Sequence, residues 1–187
     1  MMNKKERCVW PQNDELMMQY HDEEWGVAVH DDLKHFEFLV LDAFQAGLSW
    51  KTILHKRKHF RRAFDNFDYH RIVHYDEEKV QALLQNVNII RNQLKIRATI
   101  TNAAAFINIQ KEFGSFDHYV WQFVKNKTIV HRFKTHQEIP VTTPESDLLS
   151  KDLKKRGFKF VGSTIIYAYM QAAGLVNDHL VSCFCYK

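Results

Sequence analysis

The chain is short of the residues that punctuate or staple a fold. Six glycines and three prolines over 187 positions exclude a collagen-like or linker-rich design and disfavour a turn-dense small-strand barrel. No apolar run approaches the roughly eighteen residues of a membrane-spanning helix. The leading MMNKKERCVW is charged, with no apolar stretch behind it, so neither a signal peptide nor a transit sequence is indicated. A cytoplasmic location and no membrane partner are the expectation. Neither sign of charge is in large excess: 26 Lys and Arg against 22 Asp and Glu leave +4, compatible with a basic face but no proof of a nucleic-acid partner. Cysteine is scarce and oddly placed, with Cys8, Cys183 and Cys185 at the two ends of the chain. In a reducing compartment such thiols stay free, ligate metal or do chemistry instead of pairing.

What is present reads as helix. With 45% hydrophobic and 26% charged residues the chain is not disordered, and its length suits one domain spanning 1–187. Helical spacing predicts segments at 14–22 (after Asn13 as N-cap), from Asp31 or Asp32 to Gly47, from near Ser49, at 69–75, 77–86, 90–113, 116–124, 144–157 and 163–173. Gly47, Gly114, Gly157 and Gly174 stand where C-terminal caps belong. Residues 125–143 lack the period and read as loop. Eight or nine helices with no convincing strand make an all-α fold.

Four constellations have chemical potential. His179 and Cys183 form H-x3-C, which on a helical turn points both side chains the same way; with Cys8 and His21 they make a Cys2His2 set suited to structural Zn²⁺. Eleven histidines also make such pairs by chance, buried inert cysteines remain the alternative, and Cys185 competes with Cys183. Trp10, Tyr20, Trp25 and Trp50 crowd the first fifty residues with Phe36, Phe38 and Phe44, as a core would. Asp42, however, interrupts the apolar run FEFLVLDAF: it is either a buried hydrogen-bond partner or an acid in an apolar pocket. A carboxylate beside aromatic rings is also what grips a cationic base. In residues 77–96 two helical stretches meet at a tight Asn86–Ile90 turn, either an ordinary hairpin or a helix-hairpin-helix offering backbone N–H groups to phosphate. The runs HKRKHFRR (55–62) and KDLKKRGFKF (151–160) are solvated faces or polyanion contacts.

Taken together, YHDEEWGV (20–27), QAGLSWKTIL (45–54), NIIRNQLKI (88–96), LSKDLKKRGFKFVGSTIIYAYMQAAGLVNDH (149–179) and the terminal H-x3-C closely resemble the bacterial Tag family of 3-methyladenine DNA glycosylases, from about Glu6 to Tyr186. The resemblance implies an all-α helix-hairpin-helix glycosylase fold whose termini are joined by one structural zinc on Cys8, His21, His179 and Cys183. It implies a base pocket of Tyr20, Asp42 and Trp50, walled by Trp10 and Trp25. It also implies that Gly47 and Leu48 press into the lesion in double-stranded alkylated DNA and that the hairpin residues Asn88, Ile90 and Arg91 contact the backbone. The expected enzyme is a monomeric hydrolase that flips the nucleotide, cleaves the N-glycosidic bond and releases free 3-methyladenine.

Two departures from the family pattern matter. Asp42 stands where Glu is common and is shorter by roughly 1.5 Å, so a water-mediated contact with the base is expected. Asn88 stands where Gly is common, and Asn tolerates a positive φ. Just after the hairpin the residues are Arg91, Asn92 and Gln93, with no lysine where bifunctional relatives keep a Schiff-base nucleophile, so a monofunctional enzyme is implied. A catalytically inactive DNA-binding protein of the same fold, or a helical metalloprotein without a nucleic-acid role, remains the alternative.

Overall fold

Residues 6–187 are described by a computed structural model; the expectation for the first five residues of the charged leader lies outside them. Among the described residues nine α-helices follow one another: α1 (Glu15–Glu23), α2 (Asp32–Gln45), α3 (Trp50–Ala63), α4 (Tyr69–Ile72), α5 (Glu77–Gln85), α6 (Gln93–Phe113), α7 (Phe116–Trp121), α8 (Pro144–Lys155) and α9 (Ser163–Ala172). None is long and apolar enough to cross a membrane. Most begin where a short polar side chain can accept an orphan amide. Asp14, Asp31, Ser49, Asp76, Asn92, Ser115 and Thr143 each do so. Asn13 is therefore not the cap of α1: Asp14 Oδ1 accepts from Met17 N at 3.0 Å.

The centre is α2, buried over its ten positions His35–Phe44. A helix apolar on every side must be surrounded, and α2 packs against α9, α3, α6 and α7. Buried polar groups fix its orientation. His35 lies between the Tyr169 hydroxyl at 2.7 Å and Asp117 Oδ1 at 3.2 Å, while the Asp32 carboxylate accepts from the amides of Phe116 and Asp117 at 2.9 and 2.8 Å. One hydrophobic cluster runs from Cys8 to Cys183.

The helical expectation needs one correction. Residues 125–143 are mostly loop, but Ile129–Val130 (β1) pairs in parallel with Val176–Asn177 (β2). So short a pairing has no period for a sequence to display; it is created by the partner strand. It draws the chain after α9 back across the molecule. At Gly174, φ is +67° and an added Cβ would strike the Val27 backbone. Gly26 N donates to Gln171 O at 2.8 Å and Val29 N to Ala173 O at 3.0 Å, which fastens the segment carrying Trp25 to the end of α9. The two ends of the chain meet where Phe184 N donates to Glu6 O at 2.9 Å.

Candidate functional site: an aromatic cavity and a thiol–imidazole cluster

A cavity of about 640 Å³ opens between α1, the α2–α3 junction and α9, a size suited to a small ligand. Tyr20 comes from α1, Asp42 from α2 and Trp50 from the first position of α3; Trp10 and Trp25 flank them, so all five expected pocket residues line one space. The rings form a continuous wall. Tyr20 and Trp50 centroids lie 5.0 Å apart, Trp10 and Trp25 5.2 Å, and Trp10 and Tyr20 6.2 Å.

Three polar atoms in this wall are buried and lack a hydrogen-bond partner among the described residues: Trp10 Nε1, Asp42 Oδ2 and Trp50 Nε1. An unsatisfied buried polar group costs about 1–3 kcal/mol, so three in one cavity mark a surface shaped for a polar ligand. Asp42 is 4% exposed. Burial holds its carboxyl well above the usual carboxylate range, and the positive charge of Arg57 offsets this only in part. Arg57 is itself bound to Glu24 at 2.8 and 2.9 Å and to Glu37 at 2.7 Å. The Tyr20 hydroxyl is likewise held in its neutral form by burial and then by the nearby Asp42.

The sequence reading missed several other residues of the lining. Met17 and Gln45 lie three positions from Tyr20 and Asp42 and share their helix faces, a signal that was available. Tyr167 and Gln171, four apart on α9, also line the cavity. Both donate to Asp178 Oδ2, at 2.5 and 2.7 Å, and His131 Nδ1 meets Oδ1 at 2.6 Å. Residues His136 and Ile139–Val141 close one rim and gave no periodic signal.

Behind the aromatic wall the ends of the chain bring thiols and imidazoles together. One ligand atom each from His21, His179, Cys183 and Cys185 lie within 4.8 Å of one another. Cys185, which competed with Cys183 for the role in the sequence, thus stands in the group together with it, while the expected ligand Cys8 is not one of these four. Cys8 is buried beside it, its Sγ accepting from Leu180 N at 3.4 Å, and burial pushes its thiol up to about 12. His179 and Cys183 meet without the expected helical turn: the segment runs in successive turns, with Cys183 N donating to Leu180 O at 2.8 Å. The donor chemistry fits a thiophilic metal. His21 Nδ1 is engaged by Asp22 Oδ1 at 2.8 Å and His179 Nδ1 by Asn177 Oδ1 at 2.9 Å. Asp22 accepts from His21 Nδ1, which leaves the lone pair on Nε2, the arrangement found behind metal-bound histidines; His179 Nε2 lies 3.4 Å from the His21 carbonyl. His21 Nε2 is 3.5 Å from Cys183 Sγ. The two halves of the site touch, because Trp25 packs edge-on against His179 at 4.6 Å and Trp10 lies 5.3 Å from His21.

Gly47 takes a left-handed conformation (φ +78°), and Leu48 beside it is 42% exposed. At the α5–α6 turn, Asn88 does not adopt a positive φ. Asn86 closes the turn instead, its Oδ1 accepting from Asn88 N at 3.0 Å and its carbonyl from Ile89 N at 3.3 Å. The amides of Ile90 and Arg91 have no partner among the described residues.

The chain is 49% identical to DNA-3-methyladenine glycosylase 1 of Escherichia coli (strain K12), over 97% of each chain. A crystal structure of a 3-methyladenine DNA glycosylase I superposes with a TM-score of 0.95 at 49% identity, covering 97% of this chain and all of that one. The Staphylococcus aureus 3-methyladenine DNA glycosylase I, studied for its recognition of 3-methyladenine, gives 0.93 at 30% identity, covering 97% and 96%. The profile of the methyladenine glycosylase family matches residues 10–186, and with that match and these relatives the chain belongs to the methyladenine glycosylase family.

Proposed function

We propose that this protein is a base-excision-repair DNA glycosylase that hydrolyses the N-glycosidic bond of 3-methyladenine in alkylated duplex DNA. The observation that carries the reading is the aromatic cavity with Asp42 Oδ2, Trp10 Nε1 and Trp50 Nε1 buried and unpaired. Methylation at N3 makes the adenine cationic and weakens its bond to the sugar, so the leaving base needs no protonation. Catalysis then rests on extrusion of the nucleotide, selective grip on the base and stabilisation of an oxocarbenium-like sugar, with water as nucleophile.

Trp50 stacks on the base, while Asp42 and Tyr20 address its polar edge. Ionising Asp42 in so apolar a place is costly until a cation arrives. A positively charged ring therefore gains an interaction that a neutral base does not, and Asp42 becomes the discriminating group. Outside the cavity, Gly47 and Leu48 enter the duplex, and Asn88, Ile90 and Arg91 meet the backbone as a helix-hairpin-helix. The unpaired Ile90 and Arg91 amides support phosphate capture there. The reaction is monofunctional: the lysine bordering the cavity, Lys51, is engaged by Asp14 at 2.9 Å, and no lysine follows the hairpin turn at 91–93.

Cys8, His21, His179 and Cys183 would hold one structural zinc, which when bound would supply a cross-link between the ends of the chain. Their own part in catalysis is support, since Trp10 and Trp25 rest on the two imidazoles. Residues 1–187 act as one glycosylase domain, working as a monomer on chromosomal DNA in the cytoplasm; the shared hydrophobic cluster supports the single unit.

The test is release of 3-methyladenine from methylated duplex DNA, with 7-methylguanine release from the same DNA as control. Preferential release of 3-methyladenine supports the reading. Salt-sensitive DNA binding without release would leave the inactive DNA-binding alternative.

A further inference from the structure

α2 runs into a tight turn in which Gly47 is left-handed (φ +78°) and Leu48 N closes on Gln45 O. The turn satisfies Gln45 alone; the last turn of the helix contains no basic residue, so the carbonyls of Phe44 and Ala46 are left without a local donor or cation. They are met instead from across the molecule. Lys95 Nζ donates to Phe44 O at 2.9 Å and to Ala46 O at 2.7 Å. Lys95 is 6% exposed, and no carboxylate among the described residues pairs with it. Lysine is rarely buried on such terms, so a structural use for its ammonium is called for.

That use follows from where Lys95 stands. It lies in the first turn of α6, immediately after the turn from α5, and its own amide is capped by Asn92 Oδ1 at 3.1 Å. The hairpin is tied on its other flank too, where Lys56 of α3 donates to Asn88 O at 3.1 Å. The short connection between α2 and α3, which carries Gly47 and Leu48, is therefore braced on both sides by the α5–α6 hairpin. Within it Leu48 N closes onto Gln45 O at 2.6 Å. Asp42 lies five positions before Gly47 and Trp50 two after Leu48, and both line the cavity.

We propose that Lys95 is a positioning residue for base excision, fastening the end of α2 to the hairpin so that docking of the hairpin on the DNA backbone sets where Leu48 enters the duplex and where Asp42 and Trp50 wait for the base. The inference rests on the glycosylase reading above. A lysine suits the task because its flexible stem brings three donors to one point, enough for two separate carbonyls. A methionine would fill the space and leave both carbonyls without their cation. Lys95 itself does not line the cavity and touches no reacting atom, so its removal should spare the affinity of the cavity for a free base.

The experiment compares two readouts in Lys95→Met: single-turnover release of 3-methyladenine from methylated duplex DNA, and affinity for free 3-methyladenine from quenching of tryptophan fluorescence. Loss of alignment should slow release by about ten- to a hundred-fold while free-base affinity stays within about two-fold of wild type. Adding Leu48→Ala to Lys95→Met should cost little more, because groups acting through one element are not additive. Unchanged release, a parallel loss of free-base affinity, or additivity with Leu48→Ala would each overturn the inference. Lys95→Gln, which keeps one donor, should fall between wild type and Lys95→Met. If neither variant folds, Lys95 is a determinant of the fold and the positioning role is rejected. Failure of the wild-type protein to release 3-methyladenine would remove the glycosylase reading, and the inference with it; a defect confined to the variants concerns the inference alone.

Discussion

The imidazoles of His21 and His179, 158 positions apart, meet edge to face with centroids 4.8 Å apart. Each is turned by a neighbour close in sequence, Asp22 for one and Asn177 for the other. The contact links the two ends of the chain, and the tryptophans of the cavity lean on it.

Zinc content and pocket integrity should therefore move together. Cys8→Ser should lower bound zinc and the thermal midpoint in parallel, and chelation of the wild-type protein should shift its tryptophan emission to the red as Trp10 and Trp25 loosen. Cys185→Ser should retain its metal. If Cys8→Ser kept stoichiometric zinc and Cys185→Ser lost it, the fourth ligand would be Cys185, the thiol already within the mutually close group.

Asp42→Asn separates stability from chemistry. Burial raises the folded-state pKa of Asp42, so the native protein favours the protonated form. The resulting penalty is absent below the unfolded value of about 3.9 and grows as pH rises from there toward the folded value. The variant should therefore melt higher than wild type at pH 7, and the difference should vanish in acid near pH 3. It should bind abasic DNA nearly normally yet release methylated base more slowly. Thermal melts across pH, beside single-turnover release, check both halves; unchanged release would remove Asp42 from the mechanism.

Trp50→Ala tests the stack. Base–aromatic stacking is worth about 1–3 kcal/mol per base, so release of 3-methyladenine should fall by roughly ten- to a hundred-fold. The orphaned Trp50 Nε1 disappears with the ring, so Trp50→Phe, which keeps the stack but not the donor, should lose less.

The helices and the pocket acids and rings were legible because they repeat or interrupt a local pattern. Asp42 is conspicuous as a carboxylate in FEFLVLDAF, and the caps follow from side chains that compete for their own backbone. What sequence spacing did not reveal was long-range. Asp178 gains meaning only when α9 brings Tyr167 and Gln171 to it and β1 brings His131. Lys95 is an unremarkable cation in α6 until α2 ends against it. At Asn88 a local rule was applied where another device acts, since Asn86 closes the turn without a positive φ.

Gly174→Ala should be among the most damaging single substitutions outside the cavity. The residue would need a left-handed φ, which costs roughly 1–2 kcal/mol for an L side chain, and its Cβ would run into the Val27 backbone. A loss of about 4 kcal/mol or more places it in the tail of single-residue effects. Urea denaturation measures it. The damage should reach the cavity through the segment carrying Trp25, so free-base affinity should weaken as well.

The joined ends also set an order of events during synthesis. The central helices, the Leu48 turn and the α5–α6 hairpin all precede residue 114 and leave the ribosome well before His179 and Cys183. Until those last residues emerge, the tryptophan wall has His21 behind it but lacks the His179 ring against which Trp25 packs. A chain cut short in its final ten residues would carry the parts assigned to gripping DNA without a finished chamber for the base. On the glycosylase reading, capture of a base should therefore require the chain through Cys183.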